Sequence, residues 1–357
     1  MKSEKTMTLE ECLLKIEPVS VEAMSLAKKR WDNIAKPLHG LGKLEDLIIS
    51  VAGITGSADI SIQKKILVPF CADNGVVAEG VSQTGQEVTA IVAENFSKQA
   101  TSAAIMCEQA GVTLHPIDVG MAVDVASAEK RKFFYGTQDF LKEPAMSREH
   151  TILLIETGID VALYCKKAGY QLLLTGEMGI GNTTTSAAVA SVLLSVPPKE
   201  ITGKGAGLSE EGLQKKRTVI ETAIKKWQPD KEDTVDVISK VGGADLAALC
   251  GFYLGGAACR LPIVADGFIA KTAALAAKNM KKEVLSYILP SHRSKEQGDV
   301  LLTKALGMEP ILDAQMCLGE GTGAVALCPL LDMAAAVYQK MGTFAENEIE
   351  AYHDYMH

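Results

Sequence analysis

The chain has no closely spaced cysteine pair, no histidine cluster and no uninterrupted apolar run of bilayer length, and each absence closes off a class of function. Its most apolar stretch, "VGGADLAALCGFYLGGAACRLPIVADGF", is broken by Asp245, Arg260 and several glycines, so no membrane span is expected. The first twenty residues mix charged and apolar groups without the apolar core of a signal peptide, which predicts a cytoplasmic protein. Eight cysteines are scattered with no C-x-x-C, as expected of reduced packing residues. The six histidines form no H-E-x-x-H, and no metal site is expected. The net charge of -8 comes from dispersed acidic residues, which excludes a nucleic-acid surface. No G-K-[ST] follows a glycine loop and no G-x-G-x-x-G follows a strand, so neither an NTPase nor a dinucleotide enzyme is indicated. Small molecules are the expected partners.

What the sequence does contain is 47% hydrophobic residues across 357 positions, ample for a large core. Five times a short Ile-, Val- and Leu-rich run ends in glycine or an acidic residue and is followed by a helical pattern. These runs are "KILVPFCADNGV", "VTLHPIDVGM", "YQLLLTGEMGIGN", "CRLPIVADGFIA" and "EVLSYILPSHRS". Continuous apolar strands are buried on both faces, as in a parallel sheet, and the alternation predicts a doubly wound α/β fold with a mainly parallel, Rossmann-like sheet. The first run leads into "QEVTAIVAENFSKQATSAAIMCEQAG", where Val88, Ile91, Val92, Phe96 and Ala100 recur at helical spacing. The cluster around Lys130 to Lys132 is read as a polar connection. Both chain ends are read as helical, including the last thirty residues. The division expected is a helical subdomain from residues 1–55 and 336–357 around a sheet domain from 56–335.

Ligands of such sheets bind beyond the carboxyl ends of the strands, where Asp73, Glu177, Asp266 and the pair Ser291 and His292 fall. In "GEMGIGNTT", Gly176, Gly179 and Gly181 allow close approach of a ligand, and Asn182 with Thr183 can cap a helix whose free N–H groups suit phosphate. A second glycine loop, Gly203 to Gly207, runs into a helix bearing Lys215 and Lys216, one of which can reach a phosphate. Glu320 lies between two glycines ahead of an alanine-rich helix, and partial desolvation there would raise its pKa toward that of a general base. Ser291, His292, Arg293 and Ser294 suit anion or hydroxyl binding, or capping. Alone, these features indicate a phosphate-handling α/β enzyme.

In order, "KPLHGLGKLEDL", "ADNGVVAEGVS" with "QEVT", "GEMGIGNTT", "VGGADLAAL", "VADGFIA", "SHRSKEQG" and "LGEGTGA" resemble the motifs of the nicotinate-nucleotide–dimethylbenzimidazole phosphoribosyltransferase family, from about Lys36 to Phe344. The resemblance implies a Rossmann-like sheet with a helical domain from both termini and a dimer. It implies transfer of 5-phosphoribose from nicotinate mononucleotide to the lower-ligand base of a cobamide, with no cofactor. It places Glu320 as catalytic base and assigns Glu177, Gly179, Gly181 and Asn182 to the phosphoribosyl and nicotinate loop. Gly205, Lys216 and Ser294 are implied phosphate contacts, Asp266 part of the wall, and Ser82, Thr84 and Gln86 part of the acceptor pocket. The family's S-x-Y-P-x-E pattern is here "SQTGQE", with Thr84 and Gly85 in place of the aromatic and the proline. The acceptor is therefore open among a benzimidazole, a purine and a phenolic compound such as phenol or p-cresol. A heterodimer with a homologous subunit, or a non-catalytic subunit, stands as the alternative to an active homodimer.

Overall fold

The computed structural model describes residues 7–353. Seven strands, all pairing in parallel, form one sheet: β1 (Lys65–Ala72), β2 (Val112–Leu114), β3 (Ile117–Gly120), β4 (Glu129–Lys130), β5 (Leu172–Met178), β6 (Ile263–Ala265) and β7 (Ile288–Pro290). The order is β4-β3-β1-β5-β6-β7, with β2 also pairing β1. The five expected runs supply six of these strands, because "VTLHPIDVGM" divides in two. Pro116 has no N–H to give the ladder; β2 pairs with Lys65 to Leu67 and β3 with Phe70 to Ala72. β4 was not expected. It follows the pairing of Lys132 with Asp118, whose side chains are both buried at 2.8 Å, a contact that local periodicity does not report.

Every residue of β1 and β5 is buried, and successive side chains address opposite layers. On one face Leu67 lies against the turn at Gly321; on the other Phe70 meets Phe252 edge-on at 5.5 Å. Helices Thr322–Lys340 and Ala244–Ala258 thus lie on opposite sides of the sheet. The second of these is buried along its whole length and packs on helix Arg148–Lys167 with the backbones nearly touching. A Cβ on Gly158 would stand 1.9 Å from the Ala248 carbonyl oxygen, and one on Gly251 1.8 Å from that of Ile155. The small residues of the apolar stretch therefore serve helix packing inside the core.

Three helices near the N-terminus, Leu9–Lys15, Val21–Asn33 and Lys43–Thr55, meet the end of the chain. Lys43–Thr55 packs on Thr322–Lys340, Trp31 lies 5.1 Å from Tyr338 between ring centroids, and Ile34 bridges Thr343. Two local expectations are corrected. The long helix after β1 is two, Glu87–Ser97 and Ser102–Gln109, because Gln99 takes a positive φ and Thr101 caps the second, accepting from Ala104 N. Beyond Lys340 the described chain turns instead of remaining helical: Thr343 and Glu346 bond each other, and Phe344 N donates to Asn33 O at 3.0 Å. Residues 354–357 lie outside the described residues. Finally, Thr322–Lys340 is long and apolar enough to cross a membrane by length and composition; here it contains Pro329 and packs on Lys43–Thr55 and Ser102–Gln109.

Candidate functional site

The ends of β1, β5, β6 and β7 converge on a cavity of about 300 Å³, the lower end of the usual range for ligand pockets. Its centre is the turn after β5. Gly179 must be glycine, since a Cβ would stand 2.4 Å from Ala72 O, and Gly181 takes φ +90° to start helix Asn182–Leu194. Asn182, expected to cap that helix, makes no capping bond; its amide Nδ2 donates to Glu177 Oε2. Thr183 is likewise turned to another use, accepting from Lys216 Nζ at 2.8 Å.

Glu177 is buried, and burial pushes its pKa up to about 8, reinforced by the nearby Asp245 and Asp266 carboxylates and opposed by the Asn182 amide and the Glu320 N–H. It therefore carries its proton at neutral pH. Opposite it, Gly319, Glu320 and Gly321 have φ of 89°, 59° and 85°, three successive left-handed residues. For glutamate this conformation costs on the order of 1–2 kcal/mol. The turn brings the Glu320 N–H to 3.4 Å from Glu177 Oε1. Burial also raises the Glu320 carboxyl, with the Ala103 N–H lowering it. Its Oε2 is buried and has no hydrogen-bond partner among the described residues.

Asp266 does not present a free carboxylate. It accepts from Gly321 N (3.2 Å), Gly323 N (2.8 Å) and Ala324 N (3.1 Å), so it caps helix Thr322–Lys340 from β6 and fixes the Glu320 turn. Ser294 lines the cavity and is held from below: its N–H donates to Asp299 Oδ2 at 3.0 Å, and Asp299 forms a fully buried pair with Lys271 at 2.7 Å.

Of the residues expected from sequence, Ser82, Glu177, Gly179, Gly181, Asn182, Gly205, Asp266, Ser294 and Glu320 all line this cavity. Lys216 does not reach the lining. It is buried beneath Gly205 and Thr183, and desolvation lowers its pKa to about 8. Thr84 is exposed and outside the lining, while Gln86 points back to donate to Asn74 O at 3.0 Å. Asp73 accepts from Ala122 N and also lies outside. Gln83, within the Ser82 to Gln86 stretch matched to the acceptor pocket, lines the cavity and its amide donates to Gly207 O; sequence reasoning missed the lining residues Phe268 and Glu296, although "VADGFIA" and "SHRSKEQG" contain them. Cys317 also lines the cavity and is the exposed member of the eight cysteines. Among the described residues no three His, Cys, Asp or Glu side chains are grouped so as to hold a metal. The arrangement combines a protonated carboxyl, a carboxyl with a free acceptor and a glycine-walled helix start, a set suited to a phosphorylated substrate and a proton transfer.

A family model described as phosphoribosyltransferase matches residues 16–349. The chain is 46% identical over 348 residues to the nicotinate-nucleotide–dimethylbenzimidazole phosphoribosyltransferase of Ruminiclostridium cellulolyticum, covering 97% of this chain and 99% of the relative. The chain belongs to this family. The protein of the same name from Acetivibrio thermocellus is 45% identical over 93% of this chain and 95% of its own length. CobT of Thermus thermophilus superposes with a TM-score of 0.87 at 36% identity, covering 93% of this chain and all of that one. Members of the phosphoribosyltransferase family thus share this chain's sheet, and the chain is an enzyme of that family.

Proposed function

We propose that the chain transfers 5-phosphoribose from nicotinate mononucleotide to a cobamide lower-ligand base, dimethylbenzimidazole or a similar ring, giving an α-ribotide and free nicotinate. The observation that carries this reading is the unpartnered Glu320 oxygen on a cavity floored by the Gly179 to Asn182 turn. The pyridinium nitrogen of the donor is cationic, so nicotinate departs neutral at that nitrogen and needs no acid. One base suffices: Glu320 takes the proton of the incoming ring N–H as the C1′–N bond to nicotinate breaks and the new bond forms on the opposite face, inverting β to α. Protonated Glu177 adds no negative charge beside Glu320 and leaves that carboxyl the basic group. Gly205 and Ser294 meet the phosphate, with Lys216 supporting them from beneath through Thr183, so that binding energy far from C1′ orients the sugar.

Ser82 and Gln83 form the acceptor side. A second acceptor class, a phenolic hydroxyl, is favoured by Thr84 and Gly85 standing where an aromatic and a proline would build a flat wall. With this reading go a cytoplasmic location, a small subdomain built from both ends of the chain, and a dimer of two copies or of two homologous subunits. Purified protein incubated alone with nicotinate mononucleotide and dimethylbenzimidazole, adenine, phenol or p-cresol tests it, following nicotinate and ribotide. Transfer to a base that collapses by about 10²-fold or more in Glu320→Ala is expected. Absence of turnover with every acceptor refutes a stand-alone enzyme.

A further inference from the structure

His292 has no role in the chemistry above, yet it is buried and lines the cavity. Its environment determines which ring nitrogen carries a proton. Ser291 Oγ lies 2.5 Å from the Ala265 carbonyl oxygen, which can only accept, so the one hydroxyl hydrogen is spent there. Toward His292 Nδ1, 3.0 Å away, Ser291 Oγ is left as an acceptor, and Nδ1 must donate. Burial holds the imidazole pKa below its ordinary value, against the pull of Asp266, so the ring is neutral. Nε2 is then a bare lone pair, and no hydrogen bond reaches it among the described residues.

The Cε1–Nε2 edge of the ring borders a prepared place. A Cβ on Gly267 would lie 3.5 Å from His292 Nε2 and 3.6 Å from Ser294 Oγ, so both atoms flank one patch of bare backbone. Gly323 makes room for the ring from the other side, where a Cβ would stand 1.9 Å from Nδ1. Asp266, the neighbouring carboxylate, is already engaged with three backbone N–H groups. The β7 side of the cavity therefore offers one neutral acceptor beside the serine read as a phosphate contact, and the group it suits is a hydroxyl donor.

Resting on the phosphoribosyl reading, we propose that His292 Nε2 accepts a hydrogen bond from a ribose hydroxyl of the donor nucleotide, making it the residue that distinguishes ribose from deoxyribose. Because Ser291 fixes the tautomer, the ring cannot turn a donor toward the sugar without gaining a proton. A neutral acceptor beside a sugar hydroxyl adds orientation without adding charge near the departing pyridinium. His292 is here a binding and positioning residue; Glu320 keeps the base.

The test is calorimetric binding of nicotinate mononucleotide and of its 2′-deoxy and 3′-deoxy forms to the full chain, which reads the contact whether or not turnover occurs. Wild type is expected to bind one deoxy form roughly five- to tenfold more weakly than the ribo form. His292→Phe, which keeps a ring but no acceptor, should lose that factor on the ribo form and nothing further on that deoxy form. His292→Gln, whose amide oxygen can accept from a similar position, should keep most of the discrimination, and it serves if the Phe variant does not fold. Equal binding of all three nucleotides by wild type, discrimination undiminished in His292→Phe, or discrimination abolished in a folded His292→Gln would overturn the proposal. Nicotinate release by wild type is scored separately: its absence counts against the transfer reading and leaves the binding comparison to decide on His292.

Discussion

Gly323→Ala is the substitution for which the structure makes the sharpest demand. The residue lies in the first turn of helix Thr322–Lys340, and the added Cβ would stand 1.9 Å from His292 Nδ1, 2.1 Å from Cε1 and 2.8 Å from Asp266 Oδ1. Ordinary contacts between such atoms are about 3.5–4 Å, so the ring must move by roughly 1.5 Å. That displacement breaks the 3.0 Å bond to Ser291 and disturbs a carboxylate serving three N–H groups. Overpacking costs about 1–3 kcal/mol and a weakened cap about 1 kcal/mol. The better helix propensity of alanine returns about 1 kcal/mol. A net loss of about 1–3 kcal/mol should lower the melting temperature by several degrees in a chain of this size. Activity should fall further, by about 10²-fold, since a shift of this size at the site misplaces the Glu320 turn that Asp266 holds. Thermal unfolding and nicotinate release measure the two effects, and the double variant Gly323→Ala with His292→Ala supplies the decisive comparison. If the clash is with the ring, the double variant melts higher than the sum of the single losses. An unshifted melting temperature in Gly323→Ala, or strict additivity in the double, would refute the reasoning.

Other perturbations test other parts of the same construction. Glu177 has a folded pKa of about 8 against an ordinary value of 4.5, so the folded chain holds a proton that the unfolded chain releases. Its contribution to stability is present at low pH and declines as pH rises from about 4.5 through 8; Glu177→Gln should flatten that slope in urea unfolding across this window, and an unchanged slope counts against a protonated Glu177. Lys271→Met leaves Asp299 charged and unpaired in the core and should cost about 3–5 kcal/mol in the same assay, with Lys271→Met and Asp299→Leu together recovering most of it. Gly251→Ala sets a methyl 1.8 Å from a backbone oxygen that cannot rotate away. The two helices must part, and the melting temperature should drop well beyond that of Gly323→Ala.

The sheet was legible because parallel strands buried on both faces spell uninterrupted apolar runs, and β1 and β5 are the clearest. β4 was not, since two residues held in place by the Lys132 to Asp118 contact have no periodicity of their own. The helix break at Gln99 was hidden for the opposite reason: the apolar spacing continues through it while the backbone does not. At the site, glycine turns around isolated carboxylates announced Glu177 and Glu320 correctly as neighbours of a cavity. Which groups hold them was not readable. Asn182 looks like a cap and instead secures Glu177, Asp266 looks like a free wall residue and instead caps the Glu320 helix, and Lys216 looks like a direct phosphate contact and is instead buried behind Thr183. Each of these depends on a partner 5 to 58 positions away in sequence, a relation that residue type alone does not encode.

The distribution of thiols gives the molecule a built-in reporter. Seven cysteines are buried, and the eighth, Cys317, stands exposed on the rim of the cavity, three residues ahead of the catalytic carboxylate proposed here. A maleimide-linked fluorophore offered to the folded chain therefore has one accessible address, and no cysteine need be removed to make the labelling unique. Emission from that dye would follow occupancy of the cavity in real time, for acceptors whose turnover leaves no coloured product.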